Sequence, residues 1–172
     1  CAMSTASSQT DVGNLREAQC GGGGSENDAN TRIFIMGGNT DNSGNQGMVQ
    51  WVDSFATGSS VTVSDWGDMP LRGSEGDESN SATHSYRYGG NPGGWYDNHI
   101  EKIQHSSAAN GTSVGTFAHS GTQHNSACQD KSGGYGYHFA GYAAGSGYSN
   151  IERHSYSSDG NSSNVGTLVT SG

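Results

Sequence analysis

The chain has 172 residues, of which 30% are apolar and 29 are glycine, and it carries a formal net charge of −9 from sixteen acids against seven Lys plus Arg. No basic stripe is present to meet nucleic acid or an anionic membrane, and no apolar run is long enough to span a bilayer, so neither a nucleic-acid partner nor membrane insertion is expected. Three cysteines, Cys1, Cys20 and Cys128, are too few and odd in number for a disulfide framework.

In chain order, the first element is DVGNL, Asp11–Leu15. Next comes the strand-like RIFIM, running into FIMGGN and ending at Asn39. MVQWVDSF follows from Met48, then DWGDM at Asp65–Met69. The same series then returns. YRYGGN ends at Asn91, HIEKIQHS starts at His99, and SVGTF holds Gly115. It returns again as YHFAGY, NIERHSYS and NVGTL, with Gly141, Ile151 and Gly166. Gly13, Gly67, Gly115 and Gly166 are separated by 54, 48 and 51 residues. Gly38, Gly90 and Gly141 are separated by 52 and 51, and Val49, Ile100 and Ile151 by 51 each time. Three markers in one phase identify an internal repeat, and the repeat argues against disorder despite the low apolar content.

The repeated pieces are short, aromatic or β-branched, and bounded by glycine. Ile100, Lys102 and Gln104 alternate with Glu101, Ile103 and His105 in the period-2 pattern of a strand. SSAANGTS and SSDGNSSN contain Asn-Gly and Asp-Gly, which suit tight turns with positive φ. No window has helical periodicity. The expected fold is therefore all-β, with about 51 residues and four antiparallel strands per unit. The unit limits drawn from the markers are 1–30 for the end of a preceding repeat, 31–82, 83–133, and an incomplete repeat over 134–172. With so little apolar material in each unit, stability must come from neighbours stacking.

WGDMPLR, Trp66 to Arg72, and the diglycines Gly37-Gly38 and Gly89-Gly90 resemble the tail and glycine pair of kelch-type β-propeller repeats. Only one copy has the tryptophan, Val12, Val114 and Val165 standing in the others, and the third diglycine is Ala140-Gly141. The phrase NIERHSYSSDGNSSNVGTL, beside a Gly/Ser/His-rich loop, is similar to kelch-like repeats in structural proteins of tailed phages, notably those of marine cyanobacteria. The resemblance implies blades arranged radially round a channel, with Gly38, Gly90, Gly141, Trp66, Val12, Val114 and Val165 as the repeat core. Three periods and a fraction do not close a ring, so this chain is expected to be part of a larger propeller whose further blades come from the same polypeptide or an adjacent subunit.

Residues with chemical potential are scattered. His119, His124 and Cys128 are zinc-ligand types without the spacing of a finger. Glu75 to Glu78, with Asp65 and Asp68, and the loop Asn39–Gly47 offer oxygen ligands that calcium could use, but not in EF-hand order. No metal or other cofactor is assigned. No Gly-x-Ser-x-Gly elbow is present. Glu101 and Glu152 share a repeat column with Gln50, which points to a structural surface role rather than a catalytic pair. Trp95, Tyr96 and Tyr148 lie in loops where rings could stack on sugars. The expectation is a non-enzymatic structural or adhesion protein of a phage virion, extracellular, with other virion proteins or further blades as partners. The alternative is a carbohydrate-binding module that takes a host-surface glycan, and more remotely a galactose-oxidase-like enzyme.

Overall fold

The computed structural model describes residues 14–15, 21–27, 31–40, 44–45, 48–53, 61, 63–74, 76–91, 97–119, 125–143 and 145–169. Among them there is no helix, and the strands form three four-stranded antiparallel sheets. The first holds β1 (Gly23–Glu26), β2 (Arg32–Met36), β5 (Met48–Asp53) and β6 (Val63–Asp68), in that order. A two-stranded hairpin, β3 (Asn39–Thr40) and β4 (Gly44–Asn45), interrupts it between β2 and β5. The second sheet holds β7 (Asp77–Asn80), β8 (His84–Gly90), β9 (Asp97–Gln104) and β10 (Thr112–Thr116). The third holds β11 (Ser126–Asp130), β12 (Tyr135–Ala143), β13 (Ser146–Ser155) and β14 (Ser163–Thr167). Each sheet starts one strand before the limits 31, 83 and 134, because β1, β7 and β11 pair with the strand that follows them. The first strands converge, β7 lying between β1 and β11.

Two irregularities recur in every sheet. Gly38, Gly90 and Gly141 take φ of 117°, 127° and 123°, a region that excludes most side chains. Gly38 follows β2, Gly90 closes β8 and Gly141 lies near the end of β12, so all three mark the end of the second strand of their sheet. The other irregularity is a bulge between the third and fourth strands. Val49 pairs with Gly67 and Gln50 with Asp65, which leaves Trp66 as the extra residue. Ile100 pairs with Gly115 and Glu101 with Ser113, leaving Val114. Ile151 pairs with Gly166 and Glu152 with Asn164, leaving Val165. A bulge re-aims the side chain it releases. Here it sends the Trp66 and Val114 side chains into the space between sheets.

Two apolar cores follow. Phe34, Met36, Val49, Trp66 and Met69 of the first sheet meet Ile103 of the second. Tyr86, Tyr88, Ile100 and Phe117 of the second, with Val114, meet Ala127 and Tyr156 of the third. Phe34, Met36, Val49, Trp66 and Met69 occupy the same repeat positions as Tyr86, Tyr88, Ile100, Val114 and Phe117. Trp66 is 4% exposed, with its ring edge on Phe34 and its Nε1 donating to the Gln104 carbonyl at 2.9 Å. Val114 is partly buried, while Val165 is 44% exposed. Val165 is therefore not an inter-sheet core residue within this structure, since no further sheet lies on its face among the described residues. Val12 lies outside the described residues. Trp66→Phe should keep the packing on Phe34 but lose the bond to Gln104, costing about 1–2 kcal/mol in a denaturant titration. An unchanged midpoint would remove Trp66 from the joint.

Candidate functional site

The residues that recur in phase meet at the two joints between sheets, where the polar chemistry is concentrated. At the first joint the turn between β9 and β10 reaches back to β6. Asn110 Oδ1 accepts the Asp68 N–H at 3.1 Å, and the Gly111 N–H donates to the Asp68 carbonyl at 2.8 Å. At the second joint the turn between β13 and β14 repeats this against β10. Asn161 Oδ1 accepts the Thr116 N–H at 3.0 Å, and the Ser162 N–H donates to the Thr116 carbonyl at 2.9 Å. The asparagines read as turn formers are thus clamps between neighbours. In the second turn Asp159 and Gly160 take φ of 54° and 101°, while Asn110-Gly111 does not take positive φ. Gly111 instead makes room, since a Cβ there would lie 2.9 Å from the Lys102 carbonyl oxygen and 3.0 Å from Met69 Sδ.

A second column ties down the linkers. Its residues are cross-strand partners: Ile35 with Gln50, Arg87 with Glu101, and His138 with Glu152. Glu101 is 1% exposed and Glu152 0%, so these carboxylates are not surface groups. Glu101 accepts the Leu71 N–H at 2.8 Å and pairs with Arg87. Arg87 also donates to the carbonyls of Leu71 at 2.7 Å and Gly73 at 3.3 Å. Glu152 accepts the N–H groups of Ala118 at 2.8 Å and His119 at 3.2 Å, the Ser162 hydroxyl, and His119 Nδ1. Each carboxylate therefore holds the segment that leaves the preceding sheet. Burial raises the Glu101 carboxyl above its ordinary value, with Arg87 opposing. Burial would also raise Glu152, but the Ser162 hydroxyl, His119 and the Ala118 N–H together bring it below. Glu152→Gln would turn an amide N–H₂ towards those donors, at a cost of about 1–2 kcal/mol by urea unfolding. Full stability in that variant would mean that the linker is held by other contacts.

Aromatic and imidazole rings fill the second joint. His154 lies 4.8 Å from Tyr86 and 5.4 Å from Tyr88, centroid to centroid, and its Nδ1 is 3.0 Å from the Tyr88 hydroxyl. Ser79 Oγ bridges the Tyr88 and Tyr156 hydroxyls at 2.7 and 2.8 Å. His138 is stacked between Phe117 and Tyr88 at 4.1 and 5.3 Å, and neither of its ring nitrogens has a hydrogen-bond partner. Burial holds both imidazoles down to about 4. At the first joint His105 stacks on Phe34 at 5.0 Å and is likewise held to about 4 by burial.

The remaining sequence candidates do not assemble. Trp95, Tyr96 and His124 lie outside the described residues. Tyr148 is half-buried and leans on His119 at 5.3 Å, so its ring belongs to the end of the second joint. Cys128 is free and exposed. Among the described residues no three His, Cys, Asp or Glu side chains converge in a way that could hold a metal ion. Glu78 is buried against Gly23, and burial pushes its carboxyl well above the ordinary range, with Arg87 opposing. It borders a cleft of about 380 Å³ between the converging first strands, with Glu26, Asn80 and Gln129. A second cleft, of about 500 Å³, is lined by Asn27, Thr83, His84 and Gln104. Sequence reasoning missed the histidines of the joints. Their only signal was position: His138 and His154 stand 51 residues after Arg87 and Ile103. No known protein family and no curated protein matches the chain.

Proposed function

We propose that the three sheets are consecutive kelch-like blades of a β-propeller, and that the chain serves as a non-catalytic structural or adhesion component of a phage virion, in a tail appendage or capsid decoration. The observation that carries the architectural half is the identity of the two joints. Bulge, glycine, turn clamp and buried linker acceptor recur at both, and the first strands lie side by side, as blades do round an axis. The non-catalytic half is supported by how the polar groups are used. Glu101, Glu152, Arg87, Asn110 and Asn161 are all engaged in joining sheets. The virion assignment rests on the phrase-level resemblance of NIERHSYSSDGNSSNVGTL to phage structural repeats. Its partners would be other virion proteins or further blades, working through surfaces, with a host-surface glycan as a ligand for the exposed loops. Two measurements decide it. Mass spectrometry of purified virions from a phage encoding the chain should recover its peptides in stoichiometric amount, and their absence removes the virion assignment. Small-angle scattering should match the profile of three four-stranded sheets packed side by side round an axis, and a profile that this arrangement does not fit, such as that of an elongated stack of sheets, removes the blades.

A further inference from the structure

Four acidic side chains are buried among the described residues, and three of them have partners. Asp97 accepts the His99 N–H at 3.1 Å and pairs with its ring. Glu101 pairs with Arg87, and Glu152 takes the donors of Ala118, His119 and Ser162. Glu78 is the exception. It is 6% exposed, and neither of its carboxyl oxygens has a hydrogen-bond partner. A buried carboxylate in that state is costly, and an orphaned polar group of this kind marks a place for a bound water or ion.

Strand alternation puts it there. In β7, Asp77 and Ser79 reach the third sheet, Asp77 accepting the Ala127 N–H at 2.7 Å and Ser79 bonding the Tyr156 hydroxyl at 2.8 Å. Glu78 and Asn80 therefore turn the other way, towards β1. The Glu78 carboxyl fills the space that a Cβ on Gly23 would take, so only glycine admits it. Asn80 Nδ2 donates to the Glu26 carbonyl at 2.7 Å, which leaves its Oδ1 for another partner. These side chains line the cleft of about 380 Å³ where the first strands converge. Each sheet contributes: Glu26 from the first, Glu78 and Asn80 from the second, Gln129 from the third. Glu26 and Gln129 are exposed, so the cleft opens to solvent. Arg87 opposes the Glu78 charge, but its guanidinium is committed to Glu101 and to the carbonyls of Leu71 and Gly73.

We propose that the cleft between β1, β7 and β11 binds a calcium ion through the carboxylates of Glu78 and Glu26 and the amide oxygens of Asn80 and Gln129, and that the ion ties the first strands of the three sheets together. The ion takes the place of a proton on Glu78 and supplies the partner that this carboxylate lacks within the chain. The donors are all oxygen, a set that suits a hard cation and not zinc. Calcium accepts carboxylate, amide and water oxygens in six to eight positions with loose geometry, whereas magnesium demands a tight octahedron. Two carboxylates are enough when amide oxygens and water complete the shell.

The test is calcium binding by the 172-residue chain after treatment with a chelator. Calorimetric titration should cover free calcium from about 1 µM to about 5 mM, the span from sensor sites to extracellular modules. The expected result is one ion per chain, with a melting temperature raised by about 5–10 °C when calcium exceeds its Kd a hundredfold. Glu78→Gln should weaken binding at least about tenfold, because the affinity of such a site follows its ligand charge. Glu26→Gln, at an exposed position, should weaken it too and serves if Glu78→Gln fails to fold. Asp68→Asn, an exposed acid on β6, should bind as the wild-type chain does. No binding up to 5 mM overturns the proposal. So does binding that survives both glutamate substitutions, or that Asp68→Asn weakens equally, since either marks diffuse attraction to an acidic surface. Magnesium bound as tightly as calcium overturns it as well. A chain that binds no calcium but scatters as sheets packed round an axis loses the site and keeps the blades.

Discussion

Replacing Gly115 with alanine is expected to destabilise the protein by about 3 kcal/mol, at the upper end of overpacking costs, while the same change at Gly166 leaves its stability almost unchanged. The two glycines hold the same repeat position, each opposite an isoleucine of the third strand. A Cβ on Gly115 would fall inside contact distance of the Gly160 carbonyl carbon and oxygen and 2.9 Å from the Asn161 nitrogen. All three atoms are backbone, in a turn clamped to β10, so neither side can yield without opening the joint. Gly67, in the same column of the first sheet, meets the Ala109 carbonyl oxygen at 2.5 Å and its carbon at 2.7 Å. Its φ of 144° adds backbone strain. Gly67→Ala should therefore cost at least as much. A Cβ on Gly166 finds only the Ile151 side chain, at 3.5 Å. Restricting the unfolded chain there could even stabilise the fold by a few tenths of a kcal/mol. Urea titrations of the three variants measure this directly. Equal costs at all three positions would mean that the glycines serve the bulge itself and not the close approach of a neighbour.

The contrast between these glycines also marks how far the sequence could be read. Period, strand chemistry and the sites of Gly38, Gly90 and Gly141 were legible, because glycine and apolar residues recur where the backbone demands them. The second partner of each recurring residue was not. Asn110 and Asn161 have the composition of turns, and nothing local says that their side chains reach a different sheet. Glu101 and Glu152 look like surface residues because an isolated strand shows alternation and not which face a neighbour covers. Their burial is compensated by backbone N–H groups some thirty residues away in sequence, at Leu71 and Ala118. Recurrence was the available clue, since a buried polar group needs its partner in every copy. Val165 failed the opposite way. Its column is buried at Trp66 and partly buried at Val114, but burial depends on the next sheet and not on the residue.

The acid limb of the stability curve should be steep, because the joints bury imidazoles that must stay neutral. An unfolded histidine titrates near 6.5. His105, His138 and His154 are held to about 4 in the folded chain, in each case chiefly by burial. At pH 7.5 neither state is protonated at these rings, and they contribute no pH dependence. As pH falls from about 6.5 towards 4, the unfolded chain takes up protons that the folded chain refuses. Each ring then lowers stability by up to about 1.4 kcal/mol per pH unit. Charged neighbours modify this without reversing it: Glu152 favours the His138 cation, while Asp159 favours and Lys102 disfavours that of His154. Glu78 and Glu101, raised by burial, act in the other direction: the folded chain takes up their protons first, so they recover part of the loss as pH falls from their raised values to the ordinary carboxylate range. The sum is a fall of several kcal/mol between pH 6.5 and 4, large against the 5–15 kcal/mol typical of a folded domain. His138→Phe isolates one of these protons. The ring is stacked between Phe117 and Tyr88 and makes no hydrogen bond through either nitrogen, so phenylalanine can occupy its place. Urea midpoints measured from pH 7.5 down to 4.5 should fall less steeply in this variant, by close to one proton's worth, with near wild-type stability at the alkaline end. A slope equal to that of the wild-type chain would show that His138 takes its proton as readily folded as unfolded, and the second joint would then not be the dry, ring-filled contact described above.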